Sequence, residues 1–456
     1  MTNDQFPMTK PDRKARRGAM ETGTGVAKDT MTADLLAAAA LYLPGGSVWQ
    51  WTLPAEFAFI VERGEGSRIH STQGRSYVDY VMSSGPLLLG HAHPAIVRAV
   101  QEQVTKGTAY HWLSVPTVRL AEALCKAVPC AEKVRFVSTG TEATMFAMRM
   151  ARVFTRRERI LKFEGGFHGL HDYAMVSNMR AGQAPFPTPI PDIGGIPKGS
   201  LDSVLVAPFN DLPATEDILA RHAQELAAVI VEPLQRTIRP EPGFLAGVRE
   251  LTRRHGIVLI FDEVVTGFRL ARGGAQEFYG VVPDLATYGK ALTCGFALAA
   301  IAGKADLMET ANPGLKGTLD YACLSGTLSG NPIACAAGLA ALAELAKPGV
   351  YDRLALIGRR LREGMAEIAT RQGVPMQVLG EGPIAQPYFM DPGIAVRRES
   401  DLQTADGKRA VRLGLELIRR GIFVVPGAKM YLSLAHTDAD LEATLAAFAD
   451  ALPASA

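Results

Sequence analysis

Cysteine is scarce: five in 456 residues, at positions 125, 130, 294, 323 and 335, with no Cys-x-x-Cys pair. That excludes a disulfide scaffold and points to a reducing cytoplasm. Net charge is nearly absent, because 48 Lys+Arg against 46 Asp+Glu leave +2. Such a chain has no field to hold nucleic acid or an anionic membrane surface. No apolar run reaches the roughly 18 residues of a membrane span. The basic N-terminus lacks a following apolar stretch, so no signal or transit peptide is expected. The GxxxxGK[ST], GxSxG and GxGxxG motifs are all missing, which removes the P-loop, nucleophile-elbow and dinucleotide readings. His91 and His93, like His168 and His171, have ligand-like spacing, yet no cysteine or carboxylate cluster completes a set, so no metal is expected.

What is present is a long alternation of strands and helices. Residues 1–30 read as a disordered polar leader, and 31–114 as an N-terminal segment packing on the small domain and active site. Residues 115–332 form a large domain, and 333–456 a smaller α+β domain. In the large domain, strands are predicted at Val134–Val137, Arg159–Phe163, Ser203–Val206, Ala228–Val231, Ile257–Phe261 and Ala299–Ala302. Near-continuous apolar runs separated by helices imply an α/β fold with a mostly parallel sheet between helices. Ligands of such sheets sit beyond the carboxyl ends of the strands.

The residues at those ends are chemically suggestive. Ser138-Thr-Gly-Thr-Glu-Ala143 opens a helix and suits a phosphate, although an ordinary N-cap looks the same. Glu164-Gly-Gly-Phe-His-Gly169 offers an aromatic among glycines, able to stack on a flat ring or simply to pack in a turn. Glu232-Pro-Leu-Gln-Arg236 and Asp262-Glu263 place carboxylates, and Gly289-Lys290 places an amine. A buried lysine loses its charge readily, which suits a Schiff-base nucleophile. Phosphate grip, stacking ring, carboxylate and lysine together suit pyridoxal 5′-phosphate.

From about residue 40 to 450 the chain resembles the class III aminotransferases of the aspartate-aminotransferase fold (fold type I), and among them the glutamate-1-semialdehyde 2,1-aminomutases. The motifs that carry the likeness are Ser-Thr-Gly-Thr-Glu-Ala, Lys-Phe-Glu-Gly-Gly-Phe-His-Gly, Phe-Asp-Glu-Val-Val-Thr-Gly-Phe-Arg, Pro-Asp-Leu-Ala-Thr-Tyr-Gly-Lys and Gly326-Thr-Leu-Ser-Gly-Asn-Pro332. The resemblance implies that Lys290 is the Schiff-base lysine and proton shuttle. It implies that Asp262 pairs with the pyridinium nitrogen, that Val264 and Phe167 flank the ring, and that His168 and Glu232 border it. Ser138, Thr139, Gly140 and Thr141 would hold the phosphate, with Thr327 reaching in from the neighbouring subunit of a homodimer.

Departures from the aminomutase pattern touch the substrate side. Ser47-Val-Trp-Gln-Trp51 stands where a carboxylate-binding arginine is expected, and Ser84 stands in place of a tryptophan. A proline-rich stretch, 181–191, replaces the gating loop, and Pro426-Gly-Ala-Lys-Met-Tyr431 replaces a glutamate-bearing loop. These changes favour intermolecular, ping-pong transamination of small amine and keto substrates over the aminomutase reaction. A racemase or a regulatory binder on the same scaffold are further readings. Candidate substrate residues are Arg236 and Lys429 for a carboxylate, and Trp49, Trp51 and Tyr431 for an apolar side. An Arg236 ion pair, or tryptophans packed at the dimer interface, would be the purely structural explanation.

Overall fold

The computed structural model describes residues 25–178 and 184–456. The expected leader over 1–30 lies outside the described residues up to position 24. Residues 181–183 of the proline-rich stretch lie outside them as well. From Gly25 a helix runs to Tyr42. Its alanine-rich second half was legible as a helix from residue 32, but the Gly-Val-Ala-Lys-Asp-Thr lead-in was not.

The chain divides into two compact units, 1–62 with 71–75, and 63–70 with 76–456. In the first, the helix Gly25–Tyr42 is tied down by Thr32 Oγ1, 2.7 Å from Thr72 Oγ1, and by Gln73 Nε2 donating to Asp29 at 3.2 Å. Ser47 Oγ donates to the carbonyls of Trp49 and Trp51, at 3.1 Å each, and folds that stretch into a tight turn.

The second unit is built on a seven-stranded sheet. Its strands are β1 (Lys133–Val137), β2 (Arg159–Phe163), β3 (Val204–Ala207), β4 (Leu226–Val231), β5 (Val258–Asp262), β6 (Leu285–Tyr288) and β7 (Ala299–Gly303). Their spatial order is β1-β7-β6-β5-β4-β2-β3. Only β7 runs against its neighbours, pairing Ala299 with Val137 and Ala300 with Tyr288. The carboxyl ends of β1, β2, β4, β5 and β6 therefore share one edge. The sequence reading missed β6, which is the strand that delivers Lys290.

Every residue of β4 and β5 is buried. Helices cover both faces, so these strands need no polar alternation. The helix Gly140–Thr155 lays Ala143, Ala147, Met148 and Ala151 into the same core as Ala228, Ile230, Val258 and Ile260. Truncating one such residue, for example Ile230→Ala, costs about 2–5 kcal/mol.

The C-terminal part carries a three-stranded antiparallel sheet, Gln377–Leu379, Ile384–Tyr388 and Met430–Tyr431, with the helices Val350–Arg371 and Asp438–Ala454. Chain-distant strands meet here: Ile422–Phe423 pairs in parallel with Ser76–Asp79. No single described helix is long and apolar enough to cross a membrane.

Candidate active site

The carboxylate that ends β5 is oriented from two sides. Asp262 Oδ2 lies 2.8 Å from His168 Nδ1, and Asp262 Oδ1 accepts from Thr287 Oγ1 at 3.0 Å and from Val264 N at 3.2 Å. Its neighbour Glu263 faces the opposite way and is fully buried. It accepts from Thr266 Oγ1, Gln276 N and Gln276 Nε2 at 3.0–3.2 Å, and from Ala275 N. Burial raises the Glu263 carboxyl above the usual range despite those donors. The Asp-Glu pair thus splits into one carboxylate at the site and one that pins the helix Ala275–Tyr279.

One strand over, β6 ends at Tyr288, and Gly289 leads into Lys290, whose φ is +44°. A non-glycine residue in that region costs on the order of 1 kcal/mol and persists only where the surroundings impose it. Lys290 is half-buried, and no hydrogen-bond or ion-pair partner for its amine occurs among the described residues. Burial pushes its pKa down; Tyr431 opposes this, Lys429 adds to it, and Asp262 opposes it. A lysine held this way is a better nucleophile than a solvated one.

At the end of β1, Thr139 caps the helix Gly140–Thr155 in a capping box with Glu142. Glu142 Oε2 takes the N–H groups of Ser138 at 2.8 Å and Thr139 at 2.9 Å, and Thr139 Oγ1 accepts from Glu142 N. The N–H groups of Gly140 and Thr141 remain without an intrahelical acceptor, as the first helical residues must. They are the donors this helix start can offer an anion. A methyl on Gly140 would lie 3.0 Å from Val264 Cγ1, and one on Gly169 would lie 2.8 Å from Thr141 Cα. The β5 end and the 164–170 loop are therefore pressed onto the helix start.

Phe167 and Arg236 meet above this floor, with the guanidinium 5.5 Å from the ring centroid. Arg236 sits at φ +59°, and its N–H donates to Glu232 Oε2 at 3.3 Å. No ion pair engages its guanidinium among the described residues. Lys429 lies 5.8 Å from the Tyr431 ring centroid, and Arg269 lies 5.3 Å from the same ring. Burial drives Lys429 down to about 7, helped by Arg236 and opposed by Glu232.

The aminotransferase class-III family profile matches residues 53–452. The chain belongs to the class-III aminotransferases. It is 41% identical over 421 residues, 91% of this chain and 96% of the relative, to glutamate-1-semialdehyde 2,1-aminomutase 2 of Brevibacillus brevis. An omega-transaminase from Sphaerobacter thermophilus superposes with a TM-score of 0.86 at 38% identity, covering 93% of this chain and 97% of that one. A glutamate-1-semialdehyde aminomutase from Pseudomonas aeruginosa, in complex with PMP, gives 0.84 at 25% identity over 93% and 94% of the two chains.

As a class-III aminotransferase the protein is pyridoxal-phosphate dependent, and the chemistry of its donor set fits that cofactor. An unpartnered, half-buried amine, a buried carboxylate one strand away and a helix start with open N–H groups share one sheet edge. Lys290, Asp262, Val264, His168 and the 138–141 turn gather there, with Phe167, Glu232, Arg236, Lys429 and Tyr431 around them. Thr327, expected to act from the neighbouring subunit, is exposed in the single chain. Trp49 and Trp51 belong to the other compact unit.

The sequence reading overlooked Arg269 and the turn it holds. This guanidinium is 1% exposed; its Nη2 donates to Gly85 O and its Nε to Val265 O at 2.8 Å. Met82, Ser83, Ser84 and Gly85 form an unbroken left-handed run, with φ of 45°, 57°, 67° and 100°. Tyr431 packs on it, since a methyl on Gly85 would lie 2.9 Å from the ring. No propensity announces three consecutive non-glycine residues with positive φ. The only available signal was an arginine in an otherwise apolar segment.

Proposed function

We propose that this class-III aminotransferase moves an amino group on a small carboxylate-bearing substrate, with Lys290 as the amine that holds the cofactor. The observation that carries the reading is the state of Lys290: half-buried, unpartnered, its pKa lowered by burial, at the end of the strand beside Asp262. The bound cofactor supplies an electrophilic carbonyl and an electron sink. Lys290 would carry the proton between the substrate Cα and the cofactor's carbonyl carbon, the transfer that amino-group movement requires. Asp262, its two oxygens fixed by His168 and Thr287, would hold the ring nitrogen. Val264 and Phe167 would flank the ring. The N–H groups of Gly140 and Thr141 would hold the phosphate in a turn shaped by Ser138 and Thr139. Arg236, whose guanidinium has no ion-pair partner among the described residues, and Lys429 would receive the substrate carboxylate beside Tyr431.

Two outcomes follow from this chemistry. The curated relative at 41% identity favours the intramolecular one, glutamate-1-semialdehyde to 5-aminolevulinate, and reverses the preference drawn from the altered loops. Intermolecular transamination is the second reading, favoured by the omega-transaminase at 38% identity and by Ser47–Trp51 in place of the expected arginine. Purified protein given glutamate-1-semialdehyde alone should form 5-aminolevulinate with repeated turnover. Turnover only when an amine donor and a keto acid are both present would overturn the aminomutase reading and leave the transaminase.

The same proposal includes a homodimer with Thr327 contributed across the interface. Trp112, Leu113 and Val115 are 85%, 72% and 76% exposed. Thr117 Oγ1, 2.8 Å from Gly330 O, ties their segment to the one bearing Leu328 and Thr327. Apolar exposure of this kind marks an interaction surface. Light scattering should give twice the chain mass, and Leu113→Glu should lower it.

A further inference from the structure

Two polar atoms in the floor of the site have no hydrogen-bond partner among the described residues: His168 Nε2 and Gln235 Oε1. Both side chains are buried to at least nine-tenths, His168 at 1% exposure and Gln235 at 0%. They converge. A methyl on Gly166 would lie 3.0 Å from His168 Nε2 and 3.5 Å from Gln235 Oε1, so both atoms flank the same glycine.

The chemistry of the two atoms narrows what joins them. His168 Nδ1 faces the Asp262 carboxylate at 2.8 Å, so Nδ1 carries a proton, and in the imidazole form Nε2 is an acceptor. Gln235 Nε2 donates to Glu164 O at 2.7 Å, so the amide cannot flip without setting oxygen against oxygen. Its backbone is locked as well, with Gln235 N to Ile238 O at 3.0 Å and Ile238 N to Gln235 O at 2.8 Å. Gln235 Oε1 is therefore a fixed acceptor, and two acceptors are joined only by a molecule with two donors. Leaving both bare in a buried floor is costly.

We infer that one structural water, seated beside Gly166, bridges His168 Nε2 and Gln235 Oε1 and makes Gln235 a positioning residue for the Asp262 grip on the cofactor. The water donates one hydrogen to each acceptor. It thereby stabilises the His168 tautomer whose Nδ1–H holds Asp262, as the outer hydrogen bond of a ligating histidine does at metal centres. Gln235 touches neither substrate nor cofactor. Gly166 serves by lacking a side chain, which a methyl would place where the water sits. This inference rests on Asp262 being the ring-nitrogen partner.

The test uses the holoenzyme with 15N-labelled histidine, the His168 signals being assigned by their loss in His168→Asn. In the unaltered protein, His168 should show a protonated Nδ1 and a hydrogen-bonded Nε2 lone pair. Gln235→Leu should move the Nε2 resonance downfield, towards a bare lone pair, and weaken cofactor binding about tenfold. Gly166→Ala, which expels the water but keeps Gln235, should reproduce both changes and carries the test should Gln235→Leu fail to fold. If Asp262→Asn weakens cofactor binding while neither variant moves the Nε2 resonance, the water bridge is wrong and the Asp262 reading stands. If Asp262→Asn leaves cofactor binding unchanged, the ring-nitrogen reading fails, and the inference with it.

Discussion

Asp262 and Thr287 stand opposite each other in the β5–β6 ladder, and Thr287 Oγ1 donates to Asp262 Oδ1 at 3.0 Å. Thr287 is three residues before Lys290, so one short strand orients the carboxylate and delivers the amine. Hydrogen bonds to charged groups are worth about 1.5–3 kcal/mol. Thr287→Val keeps the β-branched shape and removes the donor. Its cofactor dissociation constant, read by absorbance titration, should rise about tenfold or more, the equivalent of about 1.4 kcal/mol. Unchanged retention would mean that Thr287 serves only the sheet.

Legibility from the sequence followed burial. Leu226–Val231 is apolar throughout and Val258–Asp262 is apolar up to its terminal aspartate because both faces are covered, and their ends led directly to Glu232 and Asp262. Leu285–Tyr288 is as buried but is only Leu-Ala-Thr-Tyr, and its threonine is polar because it serves Asp262. Function thus disguised the strand. The 82–85 turn was hidden for a different reason. Its left-handed backbone is imposed by Arg269 and Tyr431 from distant parts of the chain, and tertiary contacts of that kind leave no local pattern.

Adjacent carboxylates should respond oppositely to mutation. Glu263→Ala strips the acceptor from the N–H groups of Ala275 and Gln276 and from Thr266, all in the interior. Unfolding in denaturant should show a loss of about 3–5 kcal/mol, while the folded fraction keeps its cofactor spectrum. Asp262→Asn should do the reverse, releasing cofactor with little change in apo stability. Equal effects at both positions would undo the division of labour.

Lys162 offers a pH test of stability. It is fully buried, and its amine donates to Ala174 O at 3.3 Å, to Val176 O and to Asn178 Oδ1. Burial pushes its pKa down to about 7 from 10.5. Between those values the unfolded chain binds more protons than the native one, so stability rises with pH from about 7 towards 10.5 and is lost as pH falls back to 7. Apo-protein stability at pH 9 should exceed that at pH 7, with a Lys162 share of about 2 kcal/mol. Lys162→Met should reduce the slope without abolishing it, because the lowered Lys290 and Lys429 contribute with the same sign. An unchanged slope would show that Lys162 stays charged through this range.

Substrate capture should separate Arg236 from Lys429 by its pH dependence. Burial holds Lys429 at about 7, whereas arginine side chains in general carry their charge at any working pH. As pH rises through 7, Lys429 loses the charge that attracts a carboxylate, and Arg236 keeps its own. If both receive the substrate, KM should climb between pH 7 and pH 9 while kcat changes less. Lys429→Met should give the high-pH KM at every pH, flattening the profile. Arg236→Ala should raise KM about tenfold or more across the whole range and leave the Lys429 step visible, because a carboxylate facing one cation rather than two loses at least about 1.4 kcal/mol. A KM that ignores pH in the unaltered protein would exclude Lys429 from substrate binding and leave Arg236 alone above the Phe167 ring.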